Sequence, residues 1–182
     1  MFRLFNRKYQ GGIKMKGLRT GNVIKGAVAG LVGGLIASFV MTKFQTLLTA
    51  IAENDKKSKK KGGGDEPATV KMAKKISETV FEHKLTKNEK EPAGEAVHYA
   101  MGATSGLMYG VATEITPMAT LGAGLPFGAA VWVIADDVVV PALGFSKPAT
   151  AYPLSTHAYA LSSHLVYGLT TEVVRRTVRN LL

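Results

Sequence analysis

Long apolar stretches separated by short polar ones run the length of this chain, and that spacing predicts its elements. The first stretch, about Val23 to Thr42, is long enough to cross a bilayer as a helix. Lys25 near its start can snorkel. Gly26, Gly30 and Gly34 recur every fourth residue and Ser38 continues the row, so small residues share one stripe where a second helix can approach closely. The helix is expected to continue past Lys43 to about Ala52 as an interfacial extension. A second stretch, Ala96 to Ile115, repeats the device with Gly102, Gly106 and Gly110, and the two rows are expected to pack against each other. A third, Ala119 to Leu143, carries Gly124 and Gly128 on one face and ends at Pro141 and Gly144. A fourth starts near Pro153, which suits a first helical turn, and reaches Val174.

Between the first and second stretches the pattern changes. Lys56, Lys57, Lys59, Lys60 and Lys61 precede Gly62, Gly63 and Gly64, a composition that reads as linker. Asp65, Glu66 and Pro67 look like a helix start. From Val70 to His83, Met72, Ile76 and Val80 recur every four residues against Lys71, Lys74, Lys75 and Glu78, predicting an amphipathic helix on the membrane or the bundle. Thr86 and Glu89 have the spacing of a capping box for one more short helical piece before Pro92. No long run alternates with period two. The expected class is all-α: about four transmembrane helices plus one amphipathic surface helix. The expected division is a basic leader (1–21), a first transmembrane helix with its extension (22–52), the lysine-rich linker and amphipathic helix (53–95), and a three-helix membrane core with a basic C-terminus (96–182).

Charge adds partners and orientation. The formal net charge is +10 over 182 residues, and the absence of cysteine excludes disulfide and thiol chemistry. The basic residues sit beside apolar stretches with few aromatics among them, which favours anionic lipid headgroups over nucleic acid. The lysine run has two readings, a solvated linker or a contact with anionic lipid. The acid-free leader holds Arg3, Arg7, Lys8, Lys14, Lys16 and Arg19; the far end holds Arg175, Arg176 and Arg179, which suit both headgroups and a helix C-terminus. Both termini are therefore expected in the cytoplasm, although the basic residues of 53–95 nearly balance them. If the first stretch does not cross, three spans remain and that segment moves inside. The stretch is longer than a signal-peptide core and no clear cleavage site follows, so an uncleaved anchor is expected.

Titratable groups in apolar helices usually face a protein interior or a water-filled cavity. His157 and His164 are two turns apart on one face, and Glu172 drifts only modestly from it. On the second stretch Tyr109 shares the face of His98, with Glu114 displaced to one side. If these faces meet, the interior holds three histidines and two glutamates. Asp136 and Asp137 point about 100° apart in an α-helix, so only one is expected to face inward. Three readings compete. The groups form a structural network, with Glu172 paired to Arg175 or Arg176 one turn on. They form a proton or cation path, which as a pore would need a homo-oligomer. Or they bind a metal, although no compact motif of the His-x-x-x-His or Glu-x-x-His kind is read from the spacing, and neither a metal site nor a cofactor is expected. No nucleophile elbow surrounds Ser105, Ser155, Ser162 or Ser163, so no enzyme activity is expected.

Three pieces of the chain resemble the YagU-like family of small bacterial inner-membrane proteins. The first is His98 and Glu114 with Tyr109 between and Pro117 after; the second is the Pro141, Gly144, Pro148 spacing; the third is Ser163-His164-Leu165 followed by Glu172, Arg175, Arg176, Arg179 and Asn180. The resemblance runs from about residue 70 onward, and neither the leader nor the lysine run has a counterpart. It implies a multi-pass inner-membrane protein of uncharacterised activity, with a role in envelope or acid-stress homeostasis that a proton path would fit.

Overall fold

The computed structural model describes residues 20–55 and 66–182, and among these it is helical, with no strand. The leader up to residue 19 and the lysine run Lys56 to Lys61 lie outside the described residues. Helix α1 spans Thr20–Asp55, α2 Ala68–Val80, α3 Lys87–Ile115, α4 Leu125–Val131, α5 Val140–Ala142 and α6 Leu154–Leu181. Two stretches, Thr20–Ala52 and Pro117–Ala142, are long and apolar enough to cross a membrane. At the α-helical rise the 36 residues of α1 extend about 54 Å, well past a hydrocarbon core of about 30 Å.

The glycine rows pack as their spacing requires. Helices α1 and α3 run antiparallel, with Gly26 against Gly110, Gly30 against Gly106 and Gly34 against Gly102. A Cβ added at Gly30 would sit 2.2 Å from the Gly106 carbonyl oxygen, and one at Gly102 would sit 1.9 Å from Ser38 Oγ. The opposite flank of α1 meets α6, where Gly33 faces the Thr171 carbonyl. A second glycine crossing joins α4 to α6, with Gly124 and Gly128 against Gly168 and the His164 backbone. The small apolar core consists of Ala37, Met41 and Tyr167, flanked by Phe127 and Val131.

Three elements depart from the sequence expectation. The second stretch begins well before Ala96, because the capping box at Thr86 starts a helix that runs through Pro92 without a break. There Glu89 accepts from the Thr86 backbone N–H at 2.7 Å and from its hydroxyl at 2.8 Å, and these bonds, led by the backbone one, hold the Glu89 carboxyl down at about 2. The third stretch is not one α-helix. A 3-10 segment, Pro117–Gly124, ends in left-handed residues Gly122, Ala123 and Gly124 (φ 71°, 52° and 84°), and beyond α4 the chain widens into a π-helical turn, Trp132–Val139. Gly124 needs its glycine twice, for the positive φ and for the Gly168 oxygen 2.2 Å from where a Cβ would stand. Finally, α2 buries Val70, Ala73 and Ser77, and its Ile76 and Val80 stripe faces outward.

Polarity is inverted relative to a water-soluble bundle. The largest fully buried side chains are Glu172, Thr171, Ser38 and Ser163, whereas Ile24, Phe39, Leu47, Met108, Met118, Ile134 and Val173 are all exposed.

Candidate functional site

The buried face of α6 is polar along most of its length: Ser163, His164, Tyr167, Thr171, Glu172 and Arg175 are buried on it. The faces that the sequence predicts do meet the other helices, but they form two clusters rather than one interior.

The first cluster lies toward the end of the molecule where the N-terminus of α1 and the C-terminus of α6 come together. Glu172 is 1% exposed and accepts from Arg175 Nε at 2.7 Å and Arg175 Nη2 at 3.0 Å. Arg176 Nε adds a further bond to the same carboxylate. Across the helix interface Arg179 Nε donates to Glu114 Oε1 at 2.6 Å, a contact that sequence spacing could not reveal because its partners are 65 residues apart. Tyr109 stacks on Phe127 with ring centroids 4.2 Å apart, donates to the Ala119 carbonyl at 3.3 Å, and lies under the Arg175 guanidinium. Both glutamates of this cluster are held by arginines.

The second cluster lines a cavity of about 1270 Å³ toward the opposite end. His98, Asp136, Asp137, His157 and His164 all reach it, as do Glu95 and Trp132. The sequence expectation that only one aspartate faces inward is corrected. Both line the cavity from a π-helical turn, in which successive residues are separated by a somewhat smaller angle than in an α-helix. Asp136 Oδ2 comes to 3.8 Å from His164 Nδ1, and Asp137 Oδ1 to 3.9 Å from His157 Nδ1. Both separations exceed hydrogen-bond length.

The imidazole roles follow from their carbonyl contacts, since a carbonyl only accepts. His157 Nε2 donates to the Ala149 carbonyl at 3.0 Å, so in the neutral ring Nδ1 turns a lone pair toward Asp137. His164 Nδ1 donates to the Ala160 carbonyl at 2.9 Å, which leaves Nε2 as an acceptor in the neutral ring. His98 Nε2 makes a long contact, 3.5 Å, with the Ser38 carbonyl. The Trp132 indole, edge-on to His157, keeps a buried N–H with no hydrogen-bond partner. The cavity is thus rich in acceptors, and its aspartates stand beside histidines where the glutamates of the first cluster stand beside arginines.

Residues 67–173 match the family described as a protein of unknown function, DUF1440. The chain belongs to that family. The DUF1440 match takes in α2, α3 and most of α6, with every histidine and aspartate of the cavity and both glutamates of the ion-pair cluster. It leaves out α1 and the three arginines, and its description does not single out a YagU-like group. No curated protein and no solved structure matches the chain.

Sequence reasoning misses Glu95, which precedes His98 by one helical turn and acts on it electrostatically. The expectation that the chain holds no Glu-x-x-His pair is corrected here, since Glu95-Ala96-Val97-His98 is one, and that spacing is the signal that finds Glu95. It also misses Gly33 and Gly168, which stand outside the regular glycine rows, and Tyr167, whose hydroxyl donates to the Gly102 carbonyl at 2.7 Å. Among the described residues no three histidines or carboxylates converge closely enough to hold a metal ion.

Proposed function

We propose that this chain is an integral inner-membrane protein of four spans that carries protons or small cations along the polar face of α6. The cavity serves as its vestibule and the Glu172–arginine cluster as its plug. The observation that carries the reading is the contrast between the two clusters. Glu114 and Glu172 are neutralised by arginines at hydrogen-bond distance. Asp136 and Asp137 face histidines at 3.8 and 3.9 Å, too far for the imidazoles to clamp them as the arginines clamp the glutamates. Histidine exchanges protons near neutrality, and intramembrane carboxylates mark ion paths more often than surface ones do. Exposed apolar side chains on α1, α3, α6 and the Pro117–Ala142 stretch support the membrane setting.

The finer parts belong to the same proposal. Both termini lie in the cytoplasm, with the vestibule open to the other side. The lysine run, together with the outward Ile76 and Val80 face of α2, engages anionic lipid. A homo-oligomer is compatible with the exposed apolar surface, and the activity is non-enzymatic. A path of this kind would serve the envelope or acid homeostasis that the YagU-like resemblance implies.

The test is proton entry into liposomes under an imposed pH gradient, read with a trapped pH-sensitive dye. The wild-type protein is expected to accelerate entry, and Asp136→Asn with His164→Gln is expected to return it to the rate of empty vesicles. Equal rates for wild-type and empty vesicles would remove the path. The clamp of Arg175 on Glu172 is what makes the ion-pair half a plug rather than a relay.

A further inference from the structure

We infer that the vestibule binds an organic cation, specifically a protonated amine carried on an apolar body. The inference rests on the vestibule being the working site, and it adds the class of ligand.

Asp136 and Asp137 are carboxylates paired with imidazoles, each at a separation too long for a hydrogen bond. In its neutral form each ring of the two His–Asp pairs adds an acceptor nitrogen: Nδ1 of His157 points at Asp137, and Nε2 of His164 is the nitrogen not used by the Ala160 carbonyl. A lone pair facing a carboxylate is repulsive, so the His157–Asp137 contact is satisfied only when something carrying N–H donors comes between them or a proton is added. A bare proton satisfies one pair. A primary ammonium has three donors and can serve both, because Asp136 and Asp137 are adjacent on the π-helical turn. Metal ions are a poorer match, since no third ligand converges with any pair among the described residues.

The dimensions and the remaining wall select the rest of the ligand. At about 1270 Å³ the cavity exceeds the roughly 300–1,000 Å³ usual for small-molecule sites. Inorganic cations or protons need none of that room. Its apolar and aromatic lining includes Met41, Met101, Val131, Tyr152 and Tyr159. Such a wall contributes to burying a hydrocarbon body, and aromatic faces attract an ammonium that is partly desolvated. Trp132 supplies the independent mark. Its ring lines the cavity and its buried indole N–H has no partner, beside a wall whose cations, Lys87 and Lys90, belong to the α2–α3 side, Lys90 being paired with Glu66.

The same residue supplies the measurement. Trp132 is the single tryptophan of the chain, so intrinsic fluorescence of the full-length protein in detergent micelles reports on the cavity without labelling. Phenethylamine is the probe and phenethyl alcohol its neutral counterpart. The amine is expected to change Trp132 emission saturably, the alcohol to do so at least tenfold more weakly, and Asp136→Asn with Asp137→Asn to weaken amine binding at least tenfold. Each single substitution, with helicity checked by circular dichroism, stands in if the double variant does not fold. No saturable response to the amine, equal responses to amine and alcohol, or unchanged binding in the aspartate variants would overturn the inference. A protein that binds the amine but admits no protons keeps this inference and loses the path; the converse result keeps the path and loses the amine.

Discussion

Glu172 shows how differently one residue type behaves in the two halves of this molecule. Its carboxylate is buried, and burying a charge is tolerable only when its partners are built in. Two arginines one turn further along the same helix supply them, which is why this contact was legible in the local spacing. The partners are not equivalent. The Arg175 side chain is 7% exposed and that of Arg176 is 55% exposed. Replacing Glu172 by alanine strands the buried Arg175 guanidinium, and is expected to cost about 3–5 kcal/mol in thermal or denaturant unfolding in detergent. Replacing Arg176 by alanine removes a largely solvated partner and is expected to cost under about 1 kcal/mol. Comparable losses for the two variants would mean that Arg175 is not held where the structure puts it. The histidines are the opposite case. Their positions along α6 were readable from the sequence, but their tautomers depend on the Ala149 and Ala160 carbonyls and so on the folded backbone.

At the level of elements, periodicity served well where packing depends on small residues. Glycines spaced four apart on two helices are a geometric invitation, and α1 and α3 accept it with backbone against backbone. A methyl group at Gly106 would stand 2.4 Å from the Gly30 carbonyl oxygen. Gly106→Ala is therefore expected to lower stability by about 1–3 kcal/mol, because the clash outweighs alanine's better helix propensity. Gly21, which has nothing within 4 Å of the equivalent position, makes the control. Gly21→Ala is expected to leave the melting temperature unchanged or slightly raised; a fall like that of Gly106→Ala would argue against the α1–α3 crossing being the cause. Periodicity failed at the third stretch. A run of apolar residues does not announce a left-handed break or a π-helical turn, since both are fixed by what packs around them. The stripe of α2 failed for a related reason. Its side against α3 is chosen by close contact of Gly94 with Val70, and the more apolar stripe is left facing out.

For the whole molecule the useful regularity is which ends coincide. The start of α1 and the end of α6 meet, as the contact of Lys25 with the Leu182 carbonyl shows, while α2 and the Ala149–Ala151 turn lie by the vestibule. The proposed four crossings with cytoplasmic termini make a direct prediction. The chain has no cysteine, so single cysteines report topology without background. An impermeant maleimide applied to intact cells is expected to label Thr79→Cys and Thr150→Cys and to spare Asn22→Cys and Asn180→Cys. All four positions are exposed. The reverse pattern would invert the protein, and labelling of Asn180→Cys with the other three spared would leave three spans.

Local spacing and side-chain chemistry were enough to specify the helical class, the apolar stretches and the glycine rows, and to single out the titratable residues within them, because each is a property of one segment read alone. Long-range packing did the sorting. It sent Glu114 to Arg179 and both aspartates to histidines, and so divided one expected polar interior into an arginine-clamped cluster and a histidine-lined cavity. The physical reason is that electrostatic partnership falls off over a few ångströms, and distances of that size between helices are set by how closely backbones pack, which no single segment encodes.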